Sequence, residues 1–378
     1  MCHPGVGGSA RVAVELAMRL GRRGHDVLLC SRSRPFGMAA NPPGVTFCPL
    51  DGGTAASGRG DLDLNWSAEE IRRAAAGLAR MVRERSIDVL HFHYASPFAV
   101  IADEVRRLLG PSAPAIVGTL HGTDVTAGRD FTELRELRKA LLRLDALTTV
   151  SDSHAMLAAA TLGLPRLPMT IPNFIDLDRF SPLPARTPGR PRIAHVSNFR
   201  PVKDPQRMAR IFLQVRRAVD AELWLVGDGA MLPSVRTILS DCADNGHVTF
   251  FGLRHDVRSI LADTDLLLLT SREESFSMAT LEAAACAVPT VAPDVGGLPE
   301  VVGAGGVLYD RDDDAAALDA VLGLLRDPVG REIMAQAALA QAQQFSAEVV
   351  VPRYEGLYQL VLARQNISTL DTDVSCAR

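Results

Sequence analysis

The sequence has no long apolar run and no excess of basic charge. Its longest apolar stretch, Leu266–Leu269 with its flanks, has the size of a strand and falls well short of the roughly 18–20 residues of a membrane span. The 378 residues carry a net charge of −4, which excludes a basic field for nucleic acid or an anionic membrane. The length is enough for two domains, each with its own core.

The chain also lacks cysteine pairs and a leader segment. Its six cysteines are scattered without a C-x-x-C pair, which indicates reduced thiols rather than a disulfide framework or a zinc site. The N-terminus has no charged region followed by an apolar one, so it does not resemble a signal peptide. We therefore expect a cytoplasmic protein. No Asp-x-Asp spacing stands in a convincing place for a metal, since Asp61-Leu62-Asp63 lies in a polar loop.

Strands and helices alternate along most of the chain, a pattern typical of parallel, doubly wound sheets. The proline-rich segment Ser181–Arg192 interrupts the alternation and is typical of a linker between domains. The pattern predicts an N-terminal domain over 1–182, a second domain over 183–346, a helix over 347–364 and a disordered tail over 365–378, with a cleft between the two domains.

The chain opens on a glycine loop that leads into a helix near Ser9–Arg22. Glycines at 5, 7 and 8 let the backbone approach a ligand closely at the start of that helix. In a βαβ unit such a loop follows a buried strand, yet only Met1–Pro4 precede it here. We expect that a first strand of about five or six residues is missing or truncated.

Polar side chains recur where the predicted strands of the first domain end. Because ligands of doubly wound sheets bind beyond the carboxyl ends of the strands, these side chains are candidates for a site. Any one of them is more often structural than catalytic, and their recurrence at successive strand ends favours a site. They are Tyr94, His121, Asp124, Ser151 and Asn173.

In the second domain, Arg200 and Lys203 follow a strand three residues apart and would face the same way on a helical turn. Two such cations are either a solvated basic turn or a clamp for a diphosphate, whose charge they would stabilise without a metal. Glu274 and Glu282 flank the start of a predicted helix at Met278–Val288. Paired glutamates are usually surface charges, but a helix start, a buried strand and a glycine loop around them favour a nucleotide-sugar site.

In combination, these features resemble the retaining GT-B glycosyltransferases of family four. The resemblance rests on the E-x7-E spacing from Glu274 to Glu282, on Arg200 with Lys203, on Gly7-Gly8 and on the segment Gly296–Glu300. It implies an α/β fold of GT-B type, with two doubly wound, Rossmann-like domains and a final helix that packs back towards the N-terminal domain. The segments CHPGVGGSA, HFHYASP, TLHGTDVT, NFIDLDRF and ESF are most similar to members that join N-acetylglucosamine to L-malate in bacillithiol biosynthesis.

The resemblance also implies roles for individual residues. The donor would be UDP-N-acetylglucosamine, and no cofactor, metal or protein nucleophile is expected, because the leaving phosphate takes the acceptor proton in front-face attack. His121, Glu274, Arg200 and Lys203 would be catalytic. The donor-binding set would be Gly8, Arg200, Lys203, Phe251, Leu253, Glu274, Ser275, Phe276, Ser277 and Glu282. The candidates for the acceptor are Ser9, Tyr94, Thr119, Thr123 and Asn173.

Two positions depart from the family pattern. Ser277 stands where relatives usually carry glycine, and His3 stands where the malate-using relatives tend to have tyrosine. We therefore keep other acceptors open, namely an inositol phosphate, a phosphonate, a natural product or a lipid. An epimerase or a silent binding module is the third reading. The sequence does not fix the oligomeric state, and the family keeps a homodimer open.

Overall fold

The computed structural model describes residues 1–5, 7–35, 37–38, 42–50, 66–126, 128, 130–183 and 189–376, with side chains through Gln365. Asp61 and Asp63 lie outside the described residues, as does much of the proline-rich segment. The chain divides into two compact units, one formed by Met1–Pro172 with Glu348–Arg378 and the other by Asn173–Ala347.

The first unit is built on short parallel strands with helices between them. Its strands are β1 (Val27–Ser31), β2 (Val45–Pro49), β3 (Val89–His93), β4 (Ala115–Leu120), β5 (Ala146–Thr149) and β6 (Met169–Thr170). Its helices up to Pro172 are α1 (Gly8–Arg22), α2 (Ala68–Arg85), α3 (Phe98–Leu109), α4 (Thr123–Thr126), α5 (Phe131–Leu141) and α6 (Asp152–Leu162), with a 3-10 turn at Gly110–Ser112. The strands form two sheets, β1-β2 and β3-β4-β5-β6.

Met1 and Cys2 lie between these two sheets. The backbone N–H of Cys2 donates to the Cys30 carbonyl, and the N–H of His93 donates to the Met1 carbonyl at 2.9 Å. The Met1 amino group donates to the His91 carbonyl at 2.6 Å. Met1 and Cys2 therefore lie between β1 and β3. The sequence predicts the end of a strand at this position, just before the glycine loop.

The second unit carries one six-stranded parallel sheet of order β12-β11-β10-β7-β8-β9. Its strands are β7 (Arg192–Val196), β8 (Glu222–Val226), β9 (Val248–Gly252), β10 (Leu266–Leu268), β11 (Thr290–Pro293) and β12 (Gly306–Tyr309). Its helices are α7 (Pro205–Ala218), α8 (Leu232–Ile238), α9 (Ser240–Asp244), α10 (Arg258–Leu261), α11 (Met278–Ala285), α12 (Leu298–Val302), α13 (Asp314–Arg326) and α14 (Pro328–Gln344), with a 3-10 turn at Pro201–Lys203.

The strand order fixes where a ligand site belongs in the second unit. From β7 the chain adds β8 and β9 on one side and then returns to add β10, β11 and β12 on the other. The order reverses between β7 and β10, and a crevice forms at such a switch point beyond the carboxyl ends of the strands. The loops that follow β7 and β10 therefore line the expected ligand site. They carry Arg200 with Lys203 and Glu274.

The last helix, α15 (Ala347–Cys376), returns to the first unit, as the sequence predicts. Glu355 accepts two hydrogen bonds from the Arg23 guanidinium at 2.8 and 2.7 Å, and Glu348 accepts one from Arg19. The helix passes the predicted end at Arg364 and runs through most of the segment predicted to be disordered, because the chain has no glycine or proline after Gly356 to stop it. Within the described residues, no helix has the length and apolarity needed to cross a bilayer.

Candidate active site

The loop after β7 holds the two predicted cations at the switch point. Arg200 precedes the 3-10 turn Pro201–Lys203, so a helical turn does separate the two side chains. The Thr270 hydroxyl, just beyond β10, lies 3.1 Å from the Lys203 carbonyl and 2.9 Å from the Asp204 carbonyl. The Arg272 N–H donates to the Val202 carbonyl at 2.8 Å. These bonds tie the loop after β7 to the loop after β10.

Lys203 and Glu274 form a salt bridge, with 21% and 9% of their side chains exposed. The sequence assigns them to different parts of a donor, and the structure joins them directly. An ammonium group has three donors, so Lys203 can hold Glu274 and still donate to a second anion. The carboxylate in turn fixes the position of the ammonium group. Lys203 is also one of two lysines in the chain, the other being Lys139.

Arg200 has unused hydrogen-bonding capacity. Its Nε atom is buried and meets no acceptor among the described residues. A buried donor of this kind is rare in folded proteins because each one costs about 1–3 kcal/mol when it is left unpaired. An anion bound between β7 and β10 would satisfy it. Arg200 is therefore the residue of this loop that most directly indicates an anionic ligand.

Glu274 is held by its backbone as well as by Lys203. The Gly297 N–H donates to the Glu274 carbonyl at 2.9 Å. A Cβ atom at Gly296, whose φ is +53°, would lie 1.9 Å from the same carbonyl oxygen. Only glycine allows this approach without strain. The predicted glycine loop after β11 thus supports the loop that carries Glu274.

Ser277 caps helix α11 from a left-handed conformation, with φ at +85°. Its hydroxyl accepts from the Thr280 N–H at 3.3 Å, so the predicted cap is present. Glu282 follows on the second turn with 3% of its surface exposed, and Phe276 is also buried. Buried acidic groups are unusual, which excludes the interpretation of Glu282 as a solvated surface charge.

The segment Phe251–Leu253 lies at the end of β9, beside the loop after β8. Phe251 packs edge-on against Trp224 with ring centroids 5.2 Å apart. Leu253 is 44% exposed. The Gly227 N–H donates to the Gly252 carbonyl at 2.9 Å, which holds the two loops side by side. An exposed apolar residue at a strand end suits contact with a flat ring such as a base.

In the first unit, Asp124 holds the two strand ends that carry His121 and Tyr94. Its buried carboxylate accepts from the N–H groups of His121, Gly122 and Ala95 at 2.7 to 3.1 Å. His121 is 9% exposed, and burial lowers its pKa to about 3, so the ring is neutral. The sequence places Asp124 among the strand-end residues but does not predict this clamp.

The acceptor candidates differ in their surroundings. The Tyr94 hydroxyl lies 2.7 Å from the Thr123 hydroxyl, and the His3 ring packs edge-on against Tyr94 at 5.0 Å. Thr119 is fully buried and bonded to His91 and Thr148. Gly8 and Ser9 begin α1, and a Cβ atom at the preceding Gly7 would meet open space. Asn173 opens the second unit, and its buried Oδ1 has no partner among the described residues.

Comparisons with known proteins bear on this geometry. A family model described as Glycosyltransferase Family 4 matches residues 6–179, and one described as glycosyl transferases group 1 matches residues 190–327. The chain is 31% identical to N-acetyl-alpha-D-glucosaminyl L-malate synthase of Bacillus anthracis over 96% of each protein. The chain belongs to the family-four glycosyltransferases. The predicted family is confirmed.

Other relatives of this family-four glycosyltransferase are named for other substrates. D-inositol 3-phosphate glycosyltransferase of Mycobacterium marinum is 28% identical, over 92% of this chain and 80% of that protein. Among solved structures, sucrose-phosphate synthase from Thermosynechococcus elongatus superposes with a TM-score of 0.80 at 19% identity, over 96% of this chain and 95% of that chain. HepE from Anabaena, in complex with UDP, reaches 0.75 at 17% identity, over 95% and 98%. These likenesses confirm the predicted GT-B fold.

Proposed function

We propose that this glycosyltransferase moves N-acetylglucosamine from UDP-N-acetylglucosamine to L-malate or a similar small anionic hydroxy acid, with retention and without a metal. The bond from sugar C1 to the β-phosphate oxygen breaks, and an acceptor oxygen bonds to C1. The acceptor proton passes to the departing phosphate, so UDP leaves. The protein supplies positioning and charge stabilisation, and none of its side chains acts as a nucleophile.

The observation that carries this proposal is the pair of cations at the switch point. Arg200 has a buried donor without an acceptor among the described residues, and Lys203 is fixed by Glu274. Such preorganised cations stabilise a charge that develops on a leaving diphosphate. The donor is further supported by the solved complex of HepE with UDP. The acceptor is supported by the printed name of the 31% identical relative.

The chain offers a direct test of the donor site. Reductive methylation with 13C-formaldehyde labels the amino groups of Lys139 and Lys203 besides the N-terminus, and the NMR signals are assigned with Lys139→Arg and Lys203→Arg. Lys139 is the matched control, since 59% of its side chain is exposed on α5. UDP should shift the signal of Lys203 and leave that of Lys139 in place. A Lys203 signal that does not respond to UDP would contradict the clamp.

Turnover tests the acceptor. Unlabelled protein should release UDP from UDP-N-acetylglucosamine only when L-malate is present, and Glu274→Ala or Lys203→Met should slow release by about 100-fold or more. Lys139→Met should not change it. UDP binding without malate-dependent release would overturn the acceptor, and inositol phosphate and phosphonates would then be tried. Formation of an epimerised UDP-sugar without an acceptor would instead identify an epimerase.

A further inference from the structure

Strand β3 has an unusual side-chain pattern for a buried parallel strand. Such strands are usually apolar on both faces, but here Leu90 and Phe92 alternate with His91 and His93. Leu90 and Phe92 belong to the apolar core of the first unit. The histidines lie on the opposite face, which α15 covers with Tyr354 and Tyr358.

The hydrogen bonds around His91 run in one direction. The Thr148 hydroxyl donates to the Gly118 carbonyl at 3.3 Å, so it accepts from the Thr119 hydroxyl, 2.7 Å away. Thr119 therefore has no proton left for His91, and His91 donates from Nε2 at 2.8 Å. Burial lowers the pKa of His91 well below its usual value, so its ring is neutral and its Nδ1 accepts from the Tyr358 hydroxyl.

His93 bonds to a different partner. Its Nδ1 lies 3.0 Å from Nε2 of His121, and the two rings are 5.2 Å apart. Burial lowers the pKa of both rings, so both are neutral. One proton lies between the two nitrogens, and each neutral ring carries a single N–H. If His121 donates, both rings are protonated on Nε2. If His93 donates, both are protonated on Nδ1. The two rings must carry the same tautomer.

We infer that His93 is a positioning residue that fixes the ring orientation and the tautomer of His121. This bond couples the two tautomers, so Nδ1 of His121, the nitrogen that His93 does not engage, donates when both rings are protonated on Nδ1 and accepts when both are protonated on Nε2. The role in turnover rests on the proposed function and on the catalytic role that the family resemblance implies for His121. The tautomer claim rests only on the geometry of the two rings.

The test is 15N NMR on protein labelled in its nine histidines, because the two ring nitrogens of a neutral histidine have distinct shifts in each tautomer. His93 and His121 are assigned by substitution. His93→Phe keeps the ring shape and removes the bond. His93→Asn restores a donor or acceptor near the position of Nδ1. Tyr358→Phe is the matched control, because it removes a hydrogen bond from the same buried layer without touching His121.

Three results support the inference. Wild-type His93 and His121 show the same single tautomer, His93→Phe leaves His121 as an averaged mixture, and His93→Asn restores one tautomer. Turnover, mainly kcat, should fall about 10–100-fold in His93→Phe, which is the range known for removing a hydrogen-bond partner that orients a metal-ligating histidine. The UDP response of Lys203 should remain. Opposite tautomers in the wild type, or an unchanged His121 signal in His93→Phe, would overturn it. The NMR result stands even if no transferase activity is found.

Discussion

Several residues in the loops at the strand ends have a backbone conformation that side chains disfavour. Tyr94, Phe199 and Ser277 have φ angles of 86°, 41° and 85°, although none is glycine. Each such residue costs of order 1–3 kcal/mol and persists only where its surroundings hold it. The three follow β3, β7 and β10, at whose ends candidate site residues lie. Part of the local strain is therefore at these residues, and part is at positions such as Ser86 and Ala287, which follow α2 and α11.

Gly296 offers a test at the level of one residue. Gly296→Ala should lower the free energy of unfolding of the second unit by about 1–3 kcal/mol, because its Cβ would collide with the Glu274 carbonyl. Gly323→Ala is the control: this glycine is exposed on α13 with open space around it, so alanine should stabilise by about 0.5–1 kcal/mol. Urea unfolding followed by Trp224 fluorescence in a Trp66→Phe background measures both. If Gly296→Ala and Gly323→Ala changed the free energy of unfolding equally, the close approach of Gly296 to the Glu274 carbonyl would be contradicted.

At the level of elements, the sequence predicts the alternating strands and helices because their patterns are long enough to recognise. It misses α4 and α12, which have four and five residues, too few to show a period. It extends α11 to Val288, whereas the helix ends at Ala285 and the chain turns at Ala287, whose φ is +56°. The Asp124 clamp and the His93–His121 bond depend on the register between strands, which the sequence pattern alone does not fix.

The tie between the loops after β7 and β10 can be tested through Thr270. Thr270→Val keeps the shape of this fully buried side chain and removes its hydroxyl, which donates to the Lys203 and Asp204 carbonyls. We expect the free energy of unfolding to fall by about 1–3 kcal/mol, because two partly buried carbonyls lose their donor. UDP release should also be slower, because Lys203 is no longer held. Thr237→Val removes a bond of the same kind at an exposed position of α8 and should change neither the stability nor the rate of UDP release by much. Unchanged activity in Thr270→Val would show that the tie does not position Lys203.

For the whole molecule, buried neutral histidines are distributed unevenly. Burial lowers the pKa of His3 to about 4 and that of His121 to about 3, and it also lowers those of His91, His93 and His154. All five lie in the first unit. The described residues of the second unit include one such group, His195, whose pKa falls to about 4. The two units should therefore respond differently to acid.

A histidine whose pKa is lowered on folding binds its proton more readily in the unfolded chain, so stability is lost as the pH falls below the unfolded value of about 6.5. Each such histidine lowers the free energy of unfolding by at most about 1.4 kcal/mol for every pH unit. Between pH 7.5 and 5.5 the first unit should lose markedly more stability than the second. Each unit has one tryptophan, Trp66 or Trp224, so single-tryptophan variants report them separately in urea. Parallel losses in both units would refute the prediction.

The position of α15 also has a consequence for synthesis on the ribosome. The first unit needs this helix to cover the histidine face of β3, yet all of Asn173–Ala347 is translated before it. At roughly 5–20 residues per second, that interval is on the order of ten seconds or more. During it the nascent first unit exposes His91 and His93 to water, where they can take up protons. The first unit can therefore be completed only after the whole of the second unit has been synthesised.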